Sequence, residues 1–302
     1  QKYINDSEWM LTYESTEVIV NSNYMKGELQ RLFGLPFEKI NVVPNGVNLL
    51  TYSGIERDYE FRRRYAMDNE KIILFVGRLV YEKGIQHLIA AMPKILAGYN
   101  DAKLVIAGRG GMIDELRQEA YNLGLGEKVY FAGYVGGKDV AKLYKAADVA
   151  VFPSTYEPFG IVTLEAMLAG VPTVVSDIGG LDEIVDHGVT GMKSYAGNAN
   201  SIADSVLTLL YNHQLCDNIV KNAKAKVKKE NVISSEAFNE TSEKVKAIEG
   251  VCDKDYLFTP DGKYCYKCDN EIIGNPGCKG GCTYSLERND IIKCKGECKA
   301  GY

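Results

Sequence analysis

Two glutamates and two cations carry the chemistry this chain could do. Glu157 lies in a Pro/Ser/Thr/Gly loop after an apolar run ending at Phe152, and Glu165 follows with seven residues between them. Arg78 and Lys83 fall in GRLVYEKG, directly after the apolar run KIILFVG. A carboxylate can accept hydrogen bonds from sugar hydroxyls or stabilise an oxocarbenium-like centre. A guanidinium grips phosphate oxygens bidentately, while an ammonium meets them as a point charge. Glutamates at that spacing, and cations in an arbitrary loop, are more often simply solvated. The elements around them must settle the matter.

From Lys71 to about Leu210 the pattern alternates strand and helix. The strands are expected at 71–77, 103–108, 128–133, 148–153 and 172–176, short and continuously apolar as in a sheet covered on both faces. Helical patterns fall between them at 84–98, 112–124, 138–147 and 161–170, with two more at about 198–212 and 214–229. Repeated βα units with Gly-rich turns predict an α/β fold with a doubly wound, Rossmann-like parallel sheet. In such a sheet, ligands bind at the carboxyl ends of strands. Arg78, Lys83 and Glu157 all fall there, and the helix from Ile161 would turn its first, unpaired amides toward an anion. Residues 1–44 read as helix, strand EVIV, a helix with Ser22 as N-cap, and strand INVV. They are expected to be the end of a truncated preceding Rossmann-like domain, with PNGVN (44–48) as the crossover.

Joined to EPFG, to the LEAMLAG helix and to the GVPTVV strand, the two glutamates resemble the donor-binding signature of retaining glycosyltransferases with the GT-B fold. GRLxxxKG is similar to that family's diphosphate clamp. The resemblance covers roughly residues 1–229. Its first part, SEWMLTYESTEVIVNSNYMKGEL followed by FGLPFEKINVVPNGVN, looks most like the GT4 branch related to bacterial and archaeal glycogen synthases. It implies transfer of glucose from a nucleotide sugar, ADP- or UDP-glucose, to an α-glucan or similar carbohydrate acceptor, without a metal and without a cofactor. Arg78 and Lys83 would stabilise the leaving diphosphate, together with Phe159, Gly160 and Ile161 at the helix start. Glu157 would face the transferred sugar, and Glu165 would accept from the ribose hydroxyls. Gly108 would approach the nucleotide or sugar, although Arg109 beside it stands where the family often has an acidic residue. Tyr134 and Val135 would line the base pocket. Gly179, Gly180 and Glu183 match a further loop near the phosphates; Glu183 could equally stabilise the first turn of its own helix.

The 302 residues carry a formal charge of -5, which gives no reason to expect nucleic acid. No apolar run approaches the roughly 18 residues that would suggest a membrane span, and no signal peptide is visible. Cys216 is the only cysteine before residue 250; seven more lie between Cys252 and Cys298. The domains are therefore expected at 1–44, 45–229 (the donor-binding domain), a linker at 230–250, and a Cys-rich module at 251–302. The spacing C-x2-C-x9-C-x3-C-x11-C-x3-C could hold zinc, but the absence of His and the many glycines favour disulfides. That tail resembles Cys-rich repeats of growth-factor-receptor-like and protist surface proteins. The transferase part points to the cytoplasm, and a genuine Cys-rich tail would point to the outside or the secretory lumen. Two readings follow. One is the donor half of a glucosyltransferase, expected to turn over little by itself because the acceptor side is incomplete. The other is a binding or surface module in which that domain scaffolds the tail.

Overall fold

The computed structural model describes residues 2–52 and 54–230, and short strands at 232–233, 256–258, 265–267, 282–285 and 290–294. The chain divides into two compact units, Gln1–Ile233 and Ser234–Tyr302. In the second unit, Tyr256–Phe258 pairs antiparallel with Cys265–Lys267, and Cys282–Ser285 with Asp290–Cys294. The expected linker and the cysteine chemistry of the tail lie outside the described residues. Among those described, no helix is long and apolar enough to cross a membrane.

The first unit opens with helix α1 (Lys2–Glu14), strand β1 (Val18–Val20), helix α2 (Asn23–Phe33) and strand β2 (Ile40–Val42). β1 and β2 pair in parallel. Ser22 caps α2, its Oγ accepting from Met25 N–H at 3.1 Å, and Gly34 ends it in a left-handed conformation. This segment has a small core of its own, with Val20, Leu35 and Ile40 buried. Strand β3 (Val47–Asn48) and the short helices α3 (Leu49–Tyr52) and α4 (Tyr59–Arg62) lead into the main sheet.

That sheet is built from β4 (Lys71–Val76), β5 (Ala102–Ala107), β6 (Val129–Gly133), β7 (Val149–Phe152), β8 (Thr173–Ser176) and β9 (Met192–Ser194). Its order is β6-β5-β4-β7-β8-β9, all parallel. Between the strands run α5 (Ile85–Gly98), α6 (Ile113–Asn122), α7 (Lys138–Ala146), α8 (Ile161–Ala169) and α9 (Gly179–Ile184). Helices α10 (Ala199–Tyr211) and α11 (His213–Glu230) follow, and β10 (Val232–Ile233) returns to pair with β3. The apolar runs bury both faces because successive side chains alternate. Ile72 and Leu74 enter one core with α7 and α8; Ile73 and Phe75 enter the other with α5 and α10. The three-residue β9 escapes the sequence reading because it is too short to show a period.

Asp148, one residue before β7, locks the amino end of the sheet. It accepts from Ile72 N–H at 2.8 Å and pairs with Arg57, Arg62 and Lys71 at 3.0, 3.3 and 3.4 Å. Burial alone would raise its pKa, but the Ile72 hydrogen bond and the cations outweigh it and hold the carboxyl below its ordinary value. A depressed folded pKa stabilises the fold above the unfolded value and loses that effect as pH falls through the folded one. Asp148→Asn should therefore cost about 3–5 kcal/mol near neutrality, the scale of breaking a buried charge cluster. Urea unfolding at several pH values checks this; the gap between wild type and variant should narrow below pH about 4.

Candidate active site

Strand order reverses between β4 and β7, because the chain winds outward through β5 and β6 and then returns to the other side of β4. Loops after β4 and β7 therefore leave in opposite directions and open a crevice at the carboxyl ends. The β4 loop carries Arg78 and Lys83, and the β7 loop carries Glu157. Two carbonyl contacts stitch the loops together: Thr155 N–H donates to Glu82 O at 2.8 Å, and Tyr156 N–H to the same oxygen at 3.4 Å. A Cβ on Gly84 would stand 1.8 Å from Pro153 O, so only glycine lets the loops approach this closely.

Lys83 Nζ donates to Glu157 Oε2 at 2.5 Å, and Ser154 Oγ donates to the same oxygen at 3.3 Å. Both side chains are mostly covered, at 17% and 9% exposure. An ammonium has three donors and a carboxylate about four acceptor sites. Lys83 thus keeps donors for a ligand anion, and Glu157 Oε1 remains for a ligand hydroxyl. Arg78, Lys83, Glu157, Phe159, Gly160 and Ile161 all line one cavity of about 330 Å3. That volume falls at the low end of small-molecule sites, roughly 300–1,000 Å3. Gly160 caps α8 at φ +107°, where a side chain would be strained, and the helix's first amides open beside it. Gly180 is needed on the far side. Its N–H donates to Glu157 O at 2.9 Å, and a Cβ there would stand 2.4 Å from Phe159 Cα.

The other expected residues sit apart from this cavity. Glu165, in the second turn of α8, is half-buried and accepts from Tyr144 Oη at 3.0 Å. Burial raises its pKa, and hydrogen bonds from Tyr144 and Tyr52 pull it back only in part. Gly108 lies behind the β4 loop, where a Cβ would stand 1.8 Å from Gly77 O. Tyr134 is exposed, with the Arg109 guanidinium 5.3 Å from its ring centre. Val135 packs at the edge of the α7–α8 core.

Asn21, Asn45, Glu82 and Tyr156 line the cavity without having been singled out from sequence. Glu82 and Tyr156 lie inside the two motifs. Asn21 and Asn45 follow strands of the leading segment, and nothing in their local pattern announces the crevice. Glu183 engages another helix. Its carboxylate accepts from Asn23 N–H and Tyr24 N–H, at 3.0 and 2.6 Å, at the start of α2.

A profile of the family "Glycosyl transferases group 1" matches residues 57–226, and one of "Glycosyltransferase Family 4" matches residues 1–49. The chain belongs to the group 1 glycosyltransferases. It is 50% identical over 230 residues to an uncharacterized glycosyltransferase of Methanocaldococcus jannaschii, covering 75% of this chain and 59% of that one. It is 35% identical over 209 residues to a glycogen synthase of Mycobacterium tuberculosis, covering 69% and 49%. Thus the chain spans about half to three-fifths of the length of these relatives. Among solved structures it resembles Anabaena HepE in complex with UDP and glucose, at TM-score 0.69 and 26% identity, covering 77% of this chain and 63% of that one. Sucrose-phosphate synthase of Thermosynechococcus elongatus matches at TM-score 0.70 and 27% identity, covering 83% and 63%. The α/β GT-B glycosyltransferase fold is therefore shown.

The ion pair generates a test of its own. Lys83→Ala leaves Glu157 buried without its cation and should destabilise the first unit by about 3–5 kcal/mol. The double change Lys83→Ala with Glu157→Gln should recover much of that loss. Urea unfolding of the three proteins measures both, and equal losses in the single and double variants would show that the pair does not hold the loops.

Proposed function

We propose that residues 45–229 bind a nucleoside diphosphate sugar, ADP- or UDP-glucose, as the donor half of a retaining glucosyltransferase acting on an α-glucan or similar carbohydrate. The observation that carries this reading is Arg78, the Lys83–Glu157 pair and the start of α8 around one cavity at the reversal of strand order. Breaking the bond between sugar and diphosphate places additional negative charge on the diphosphate. Arg78, Lys83 and the α8 amides would meet that charge with fixed cations and dipoles, with no metal required. Glu157 would present a carboxylate to the transferred sugar, Glu165 would accept from the ribose hydroxyls, and Gly108, Tyr134 and Val135 would border the nucleotide. HepE with UDP and glucose, and a glycogen synthase 35% identical over 209 residues, support a glucose nucleotide. The cytoplasm is the compartment proposed for this part of the chain.

Calorimetric titration of the whole chain with UDP and ADP, in EDTA, tests the reading. One of them should bind, and Arg78→Ala should weaken it by about 1.5–3 kcal/mol, the scale of a hydrogen bond to a charged group. Glu157→Gln should weaken the nucleoside diphosphate less than Arg78→Ala does, because that probe carries no transferred hexose for Glu157 to meet and only the loss of its pairing with Lys83 remains. Binding only when magnesium is added would count against the cation clamp.

A further inference from the structure

Glu165 is held by two phenols that come from different parts of the chain. Tyr144, on α7, is fully buried, and its hydroxyl lies 3.0 Å from Glu165 Oε2. Tyr52, the last residue of α3, is 7% exposed, and burial together with the same carboxylate pushes its phenol up. The two rings meet edge to face, 6.2 Å apart, so each braces the other. Tyr144 has an alternative acceptor in Val162 O at 3.4 Å, but the carboxylate is both nearer and charged.

We propose that Tyr144 and Tyr52 are positioning residues that fix the Glu165 carboxylate as the acceptor for the vicinal hydroxyls of a nucleotide's ribose. This rests on the assignment of Glu165 to the ribose made above. Each phenol has one proton to give and occupies one acceptor site of the carboxylate. About four such sites exist on a carboxylate, so about two remain, the number a cis-diol needs. Buried tyrosines beside a carboxylate are pushed up in pKa, so both stay protonated and serve as donors. The titratable groups acting on Glu165 among the described residues are these two phenols. Their donation opposes the effect of burial, which favours the neutral acid. A neutral acid would turn an O–H toward the ligand and lose part of its accepting capacity. Tyr52 ends α3, the single helical turn that follows β3, so the crossover from the leading segment ends near the residue assigned to the ribose.

Titration of the whole chain with UDP and ADP, each against its 2′,3′-dideoxy analogue, tests this. Wild type should prefer the ribonucleotide, and Glu165→Gln should abolish the preference. If Glu165→Gln leaves the preference intact, or if neither nucleotide binds, the assignment of Glu165 is wrong and the proposal goes with it. Given that assignment, Tyr144→Phe and Tyr52→Phe should each weaken the ribonucleotide about 3- to 10-fold, the scale of one hydrogen bond, and leave the dideoxy analogue unchanged. Ribonucleotide binding by the Tyr144→Phe protein should also fall away at higher pH than in wild type on acidification, because Glu165 then protonates more readily. A merely structural role would weaken both nucleotides alike and leave the pH profile in place. Phenylalanine keeps the ring, and the Tyr52 variant carries the test if the buried Tyr144 position does not tolerate the change. Wild-type discrimination and pH profile in both variants would overturn the proposal.

Discussion

The site depends on one buried ion pair, Lys83 with Glu157, that joins two loops the sheet would otherwise send apart. Parallel strands whose order reverses open a crevice by their winding alone, and such a crevice has no fixed width. Here the 2.5 Å contact sets the width, and the two Glu82 carbonyl bonds support it. Burying two charges is costly, and an apolar pair of like shape would hold loops at least as well. Under the proposed function, the charged pair also supplies the groups that the ligand would meet. A cation is desolvated where a diphosphate would sit, and a carboxylate is desolvated where a sugar would sit. Neither needs to reorganise when charge develops.

Everything that tolerates this contact is backbone. Gly84 and Gly180 remove the Cβ atoms that would separate the loops or lift Phe159 off α9. Asp148 secures the opposite, amino end of β4 and β7, so the pair of strands bearing the two loops is fixed at both ends. The rigid elements thus lie behind the site, and the polar groups lie on loops stitched to them.

The fold was legible where its elements were long. The five continuous apolar runs gave the strands to within a residue or two, because burial on both faces leaves no alternation to misread. Ser22 announced its helix through capping chemistry, and it does cap α2. In the site, Arg78, Lys83, Glu157, Phe159, Gly160 and Ile161 lie together in one cavity because each motif is a single loop at a strand's carboxyl end. What stayed hidden was pairing across distance. Tyr144 sits in KDVAKLYKAA as an ordinary core aromatic, and only the packing of α7 on α8 turns its hydroxyl to Glu165. Glu183 pairs across distance in the same way, its carboxylate accepting at the start of a helix 160 residues earlier in the chain.

That last contact bears on how a second domain would communicate with the donor loop. The start of α2 carries the positive end of a helix dipole, and Glu183 satisfies two of its amides. In the same place Ser22 Oγ donates to Pro158 O at 2.6 Å, directly beside Glu157. The leading segment therefore touches the Glu157–Gly160 loop through the Pro158 carbonyl and α9 through a charge, and among the described residues its own core is small, with Val20, Leu35 and Ile40 buried. A segment with so little internal packing takes its orientation from the surface it docks on. The start of α2 is therefore tied to the Glu157–Gly160 loop through the Pro158 carbonyl and to α9 through the Glu183 carboxylate, so the leading segment and the two elements beside the crevice share one set of contacts.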